Sequence, residues 1–471
     1  MYAALRKIIT AMHVPLSILI LVGVFYGSSR HYGFSQDDWY FLTMVRVHNI
    51  GDILNFFNPL AQQGFPFYRP LGTQLYYYLF QGNAGTMHLF MLLLQSANGL
   101  LVYRLVKRLG YSENISWYSA MIYCVAPVHF LSLYYIAATQ QLLATFFSLL
   151  ALERSLALTR PSFAPSLRIA LLYLAALMSK ETAVVVPLLV PVLRLIQTKK
   201  RERVSAYLRR LIPFIVVGCI YALIKVLGYQ GLQSEYHLVL GPSILTNYRW
   251  YYLFAFGIPE ELVRFGLPRM GIDLAGFRAA HPGMPWLVVA VALVLTLCAS
   301  LYLVRGGVRY LRARNLRWLL FVLWFALALA PVVVLSNHLY PHYADLALVA
   351  LVVPLLATLP LWPRRVLLLS FLLLSFYSIR VSEILHWTTG RAKMAERALA
   401  TIQRLGACRY PEWQIVGPGP APRELSYALS LENGPRVICA NPELRVYYEQ
   451  DQNQEATAAR FQLSTEGIVV P

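Results

Sequence analysis

Residues 169–196 read IALLYLAALMSKETAVVVPLLVPVLRLI, two apolar arms interrupted by Ser179-Lys180-Glu181. A bilayer-spanning helix needs about 20 mostly apolar residues, so the run is long enough to cross once. Charge argues for a different path. Arg168 stands before the run, and Lys199, Lys200, Arg201 and Arg203 stand after it. Basic loops stay in the cytoplasm, so both flanks belong on the same side. The run therefore predicts a hairpin of two short arms, with Lys180 and Glu181 recessed below the opposite surface. Ionisable groups at such depth are costly and usually functional.

The rest of the chain fits that membrane reading. Of 471 residues, 58% are hydrophobic and only 13% charged, about half the charged share of an ordinary soluble domain. The net charge of +19 does not point to nucleic acid, because most Lys and Arg sit in short loops between apolar runs. Spans are predicted near 8–27, 86–106, 115–132, 135–153, 166–179, 182–197, 211–229, 285–304, 318–335, 344–361 and 366–382. Basic residues mark every second loop: Arg6 and Lys7; Arg104, Lys107 and Arg108; Arg160 and Arg168; the 199–203 cluster; Arg305, Arg309, Arg312 and Arg314; and Arg364 and Arg365. This alternation predicts a cytoplasmic N-terminus and an extracytoplasmic C-terminus. The first apolar stretch resembles a signal peptide, but no A-x-A-like site follows it, and an uncleaved first span is expected. The fold class expected is an all-α polytopic membrane protein of about eleven transmembrane helices, 1–382, with a small C-terminal α/β domain, 383–471, outside.

Two long outer loops are predicted, 28–85 and 230–284. The first is rich in aromatics and its apolar segments are too short to span, so interfacial helices are expected. In the tail, 389–405 has helical character, while Trp413–Val416, Arg436–Ala440 and Arg445–Tyr448 read as short strands. Cys124, Cys219 and Cys298 fall in spans and read as packing residues. Cys408 and Cys439 lie in the tail, where an oxidising exterior permits a disulfide. No internal repeat stands out.

The chemistry-bearing residues gather at one face. Asp37 and Asp38 open the first outer loop. On an extended segment, adjacent side chains point to opposite sides, so one carboxylate can face a substrate while the other binds the backbone. Acidic residues at a helix start would favour its dipole without any catalytic role. Tyr68-Arg69-Pro70 sets Arg69 at a defined bend, either as an interfacial anchor or as a site residue. His129 lies at the outer end of the third span, where a helix-end hydrogen bond is the plainer reading. Lys180 and Glu181 are neighbours in sequence, and neighbours on a helix do not face each other, so each needs another partner. Asn337, His338, Tyr340, His342, Tyr343 and Asp345 form a late loop. His338 and His342 are spaced for one helix face and a metal, but Pro341 disturbs that geometry. No cofactor is expected. A sugar carried on a polyprenyl phosphate suits this set: a carboxylate takes the acceptor's proton, and Lys180 and Arg69 stabilise the departing phosphate.

The motifs carry a family resemblance. DDWYFL (37–42), YRPLGTQLYYYLF (68–80), MHLFMLLLQSANGLLVYRL (87–105), APVHFLSLYYIAATQQLLATFFSLLAL (126–152) and LAALMSKETAVVVPLLV (174–190) together resemble the GT-C superfamily of polyprenyl-phosphate-sugar glycosyltransferases. The likeness is to its transmembrane O-mannosyltransferases with tetratricopeptide repeats. It implies an inverting transfer on the extracytoplasmic face, in a bacterial inner or plasma membrane, from the lipid donor to a protein, lipid or polysaccharide hydroxyl. It implies a base in the Asp37–Asp38 pair and matches Arg69, His129, Lys180 and Glu181 to family positions. Lys180 and Arg69 are expected to contact the donor, with Glu181, Tyr68, His129, His338 and His342 in support. The repeats are absent here. Pro341-His342-Tyr343 stands where the family carries Glu-Arg before Tyr, which leaves the sugar open. A lipid-sugar flippase and a non-catalytic scaffold are the competing classes. Transporters place ionisable groups near the midplane at repeat interfaces, whereas these gather at one face.

Overall fold

The structure is a computed structural model that describes residues 2–45, 47–59, 67–80, 82–158, 163–198, 204–228, 238–266, 271–283, 285–335, 338–417, 421–448, 459–463 and 469–470. Arg160, Lys199, Lys200, Arg201, Arg203 and Asn337 lie outside the described residues, as do 60–66 of the first outer loop and 229–237 and 267–270 of the second.

A helix stands at each predicted span. Among the described residues, six are long and apolar enough to cross a membrane: Met12–His31, Ala84–Arg108, Ile136–Ala157, Trp286–Arg312, Pro341–Thr358 and Leu361–Leu385. Phe163–Ser179 and Arg317–Leu329 are shorter apolar helices. Trp286–Arg312 leaves Leu287, Val294, Leu297 and Val304 more than half exposed, an apolar face of the kind that meets lipid.

Two interruptions shape the interior. The helix Glu113–Val125 stops short of the predicted 132 because Ala126 is extended and Pro127 follows it, and proline disfavours helical conformation in the residue before it. The chain then turns through Pro127–His129, Phe130–Tyr134 and Ile136–Ala138 before resuming as Thr139–Ala157. The second break divides the quoted hairpin. Phe163–Ser179 ends, Lys180 is extended, and Glu181–Val185 forms a 3-10 turn leading into Val186–Gln197.

The first outer loop holds helices Asp37–Met44 and Ile50–Asn55, then a π-helical turn Leu71–Leu75 and the helix Tyr76–Phe80. A π-turn is rare and often marks a functional site. Here it follows Arg69-Pro70 directly.

After the helix Trp387–Arg404, the described residues form four strands: β1 Glu412–Val416, β2 Arg445–Tyr448, β3 Ala459–Leu463 and β4 Val469–Val470. They lie in the order β2-β1-β3-β4. β1 is parallel to both neighbours, and β4 runs antiparallel to β3. The segment 436–440, expected as a strand, is instead mostly helical, in Asn433–Ile438. Gly434-Pro435 opens that turn, since proline is tolerated in a helix's first turn. The apolar run Val437-Ile438 was too short for periodicity to separate helix from strand. A second core joins Ala395, Leu399, Trp413, Leu425 and Phe461 with Trp39 of the first outer loop. Cys408 and Cys439 are disulfide-bonded.

Candidate active site

The two adjacent aspartates have opposite environments. Asp38 is 1% exposed. Its Oδ2 accepts the Ser35 N–H at 2.9 Å and its Oδ1 accepts the Tyr77 hydroxyl at 2.5 Å. Burial pushes the Asp38 carboxyl up to about 7, against the pull of Tyr77 and of the Ser35 N–H. Asp37 is exposed, and its N–H donates to the Tyr135 hydroxyl at 3.1 Å. One carboxylate is therefore fixed in the protein and the other presented at the surface, as adjacent positions at a helix start permit.

Tyr77 belongs to the segment that carries Arg69, so the two outer-loop motifs meet through it. Arg69 is buried. Its Nε and Nη2 form a two-point contact with the Glu181 carboxylate, with Nε–Oε2 at 2.7 Å. Its Nη1 donates to Gln140 Oε1 at 2.7 Å, and its guanidinium lies 4.0 Å from the Phe67 ring centre. The planar fork of Arg suits such pairing. Tyr68 is buried beside it, with its hydroxyl on the Phe57 carbonyl and its own carbonyl accepting from Tyr221. Gly72 brings this turn against the hairpin break: a Cβ there would stand 2.5 Å from the Ser179 carbonyl oxygen. No side chain fits at that distance, so glycine allows the contact next to Lys180.

Lys180 is 6% exposed. Its Nζ donates to His342 Nε2 at 3.4 Å and lies 4.5 Å from the Tyr343 ring centre. Among the described residues, no carboxylate is in ion-pair contact with it. Lys225 adds a cation 3.9 Å from Glu181 Oε1. His338 sits against Tyr340 and Tyr343. Burial, with Lys180 and Arg69 nearby, holds its imidazole down to about 4. His129 is fully buried, with Nδ1 3.0 Å from Asp345 Oδ1 and Nε2 2.8 Å from the Tyr123 carbonyl. Thr145 donates to Asp345 Oδ2 at 2.9 Å. His129 thus fastens the late loop to the turn after the third predicted span.

Ring contacts connect the aspartates to the cations. Tyr135, bonded to Asp37, lies 6.0 Å from Trp387; Trp387 is 6.4 Å from Tyr340; Tyr340 stacks on His342 at 5.8 Å. His342 in turn accepts from Lys180. All nine residues singled out by sequence are placed here. Lys180, Arg69, Glu181, His338 and His342 form one cluster, and Asp37 and Asp38 a second, joined to it by that aromatic wall. Sequence reasoning did not single out Tyr77, Tyr135, Gln140 or Lys225. Gln140-Gln141 did carry a signal: two amides at the head of a run whose only polar residues from 142 to 152 are Thr145 and Ser148.

No protein-family model matches the chain, and no curated protein matches it. Among solved structures, it is similar to the apo oligosaccharyltransferase of Archaeoglobus fulgidus at 10% identity and a TM-score of 0.45, over 88% of this chain and 63% of that one. The Archaeoglobus fulgidus enzyme AglB bound to an inhibitory peptide and a dolichol-phosphate gives 10% and 0.43, over 89% and 64%. The mycobacterial arabinofuranosyltransferase AftD gives 13% and 0.40, over 88% and 31%. The chain thus spans less than two thirds of the length of each.

Proposed function

We propose that the chain is an integral membrane glycosyltransferase that moves a sugar from a polyprenyl-phosphate donor to an acceptor hydroxyl on the extracytoplasmic face, with inversion. The observation that carries this reading is Lys180, a buried cation whose contacts are an imidazole and an aromatic ring. A buried cation with no carboxylate in direct contact is costly, and an anionic substrate supplies that contact. A lipid phosphate at the bilayer boundary has the right charge and depth.

In this reading Asp37 accepts the proton of the acceptor hydroxyl as its oxygen bonds to the anomeric carbon. The bond from that carbon to the phosphate oxygen breaks, and its electron pair leaves with the phosphate. Lys180 stabilises the charge that develops there. One contact at about 4 Å contributes roughly 4 kcal/mol at an effective dielectric near 20. Arg69 adds positive charge while Glu181 and Gln140 hold its orientation, and Lys225 offsets the Glu181 carboxylate. His342, Tyr343 and His338 shape the Lys180 surroundings. Tyr68 and His129 hold the backbone that presents them. Asp38 orients the loop through Tyr77 and Ser35. The eleven-span topology, the external domain at 383–471 and a cytoplasmic N-terminus belong to the same reading.

The test uses the full-length protein in sealed vesicles of defined orientation, with a panel of polyprenyl-phosphate sugars. Release of lipid phosphate with transfer of sugar, only when the outer face of the protein meets the donor, supports the proposal. Donor crossing the membrane with its sugar still attached points to a flippase, and neither event points to a scaffold.

A further inference from the structure

The loop that carries the aspartates is held from outside the span region. Ser35 to Asp38 form a tight turn, closed by the Asp38 N–H on the Ser35 carbonyl at 3.1 Å. Within it Gln36 adopts φ 53 and ψ −124. That is the first central position of a type II′ turn, which favours glycine. A side chain there is strained, and such strain persists only where the surroundings over-determine it.

The surroundings come from the C-terminal part. The Gln36 N–H donates to the Ala428 carbonyl at 2.9 Å. Arg391 Nη1 donates to Gln36 Oε1 at 2.7 Å, while its Nε donates to Glu424 Oε2 at 3.0 Å. Three residues on from Gln36, Trp39 is buried in the second core with Ala395, Leu399 and Leu425. A Cβ at Gly434 would lie 3.3 Å from its indole. The Cys408–Cys439 disulfide closes the chain around the short helix that carries Gly434.

We propose that the C-terminal part is the positioning element of the Asp37–Asp38 loop, and that Arg391 is its positioning residue. The assignment rests on the reading of Asp37 as the base. Arg391 touches neither aspartate. It fixes Gln36, and the peptide of Gln36 sets where Asp37 points. A displacement of about 1 Å at a reacting group costs up to a hundredfold in rate, so the loop gains from being clamped at its strained residue. Lys cannot reproduce the planar two-ended contact of Arg with Gln36 and Glu424.

The experiment uses the full-length protein in nanodiscs, with a nitroxide on Tyr40→Cys in a Cys219→Ser, Cys298→Ser background. Tyr40 is exposed on the same helix as Asp37. Arg391→Ala is expected to shift the spectrum from an immobilised to a mobile line shape, and Gln36→Ala to do the same from the other side of the bond. Without the label, Arg391→Ala is expected to lower kcat about tenfold or more while KM for the lipid donor stays within about twofold. Arg391→Lys restores only part, and the exposed Arg423→Ala changes neither readout. An immobilised line shape in both Arg391→Ala and Gln36→Ala overturns the proposal, as does an unchanged kcat in Arg391→Ala alongside an inactive Asp37→Asn. If Asp37→Asn retains full transfer, the reading of the base fails instead, and the line shapes alone decide whether the C-terminal part holds the loop.

Discussion

Asp38→Asn is expected to leave the protein as stable as the wild type at low pH and to make it more stable at high pH. Burial raises the Asp38 carboxyl from 3.8 to about 7. Each pKa step of one is worth 1.36 kcal/mol, so ionising the group in place costs the folded state about 4 kcal/mol. The sign follows from proton binding. A raised pKa means the folded state binds the proton more tightly than the unfolded chain. The stability this contributes is full below about pH 4 and is lost as the pH rises through about 7. Asn imitates the neutral acid. Its carbonyl can accept from the Ser35 N–H, and its amide can donate to the Tyr77 oxygen if that hydroxyl turns away. At pH 8 the variant should therefore gain up to about 4 kcal/mol over wild type, and at pH 5, already above the unfolded pKa, only about 1–2 kcal/mol. Asp38→Ala is the control: it leaves the Tyr77 hydroxyl unpaired and costs about 1–3 kcal/mol at pH 5. Thermal unfolding of the detergent-solubilised protein, followed by tryptophan fluorescence at both pH values, reads the difference. An Asp38→Asn protein whose stability relative to wild type falls between pH 5 and pH 8 would refute the reasoning, because the ionised carboxylate would then be stabilising the fold.

Two further substitutions separate the cations from the scaffold around them. Arg69→Ala removes the two-point partner of Glu181, leaves Lys225 as its remaining ion-pair contact among the described residues, and should cost about 3 kcal/mol of stability. Lys180→Ala breaks no ion pair and should leave the melting temperature nearly unchanged while raising KM for the lipid donor about tenfold or more; equal melting losses in the two would contradict this division. Gly72→Ala should lower both stability and activity, because its methyl meets the Ser179 carbonyl and pushes the π-turn off the Lys180 segment; an unaffected variant would show that this contact is loose.

The membrane-related features were legible because they are written along one dimension. Apolar runs, proline breaks and the interrupting Ser179-Lys180-Glu181 each act locally, and helices stand where these signals placed them. The opposite roles of Asp37 and Asp38 were foreseeable in kind from alternation, but which one is buried depends on Tyr77, forty residues on. That tyrosine is one of 31, and nothing in YYYLF distinguishes it. Glu181 needed a partner on local grounds, and Arg69 supplies it across 112 positions. The segment 436–440 reads as a strand because so short an apolar run shows no reliable period, whereas the structure puts most of it in the helix Asn433–Ile438. Gln36 gave no signal at all: its conformation is imposed by Arg391 and Ala428, more than 350 residues away, and its own identity argues against it.

The central claim is that Asp37 is the base of a sugar transfer from a lipid phosphate. Its side chain is exposed, and Asn keeps an oxygen for the contact with the Tyr135 hydroxyl. Asp37→Asn should therefore be structurally silent, with the melting temperature and donor KM of the wild type, while removing the oxygen that accepts the proton. The most direct measurement is the initial rate of lipid-phosphate release by purified Asp37→Asn and wild-type protein under saturating donor and acceptor. The account predicts a loss of about a hundredfold or more with folding intact. Full-rate release by Asp37→Asn would contradict it.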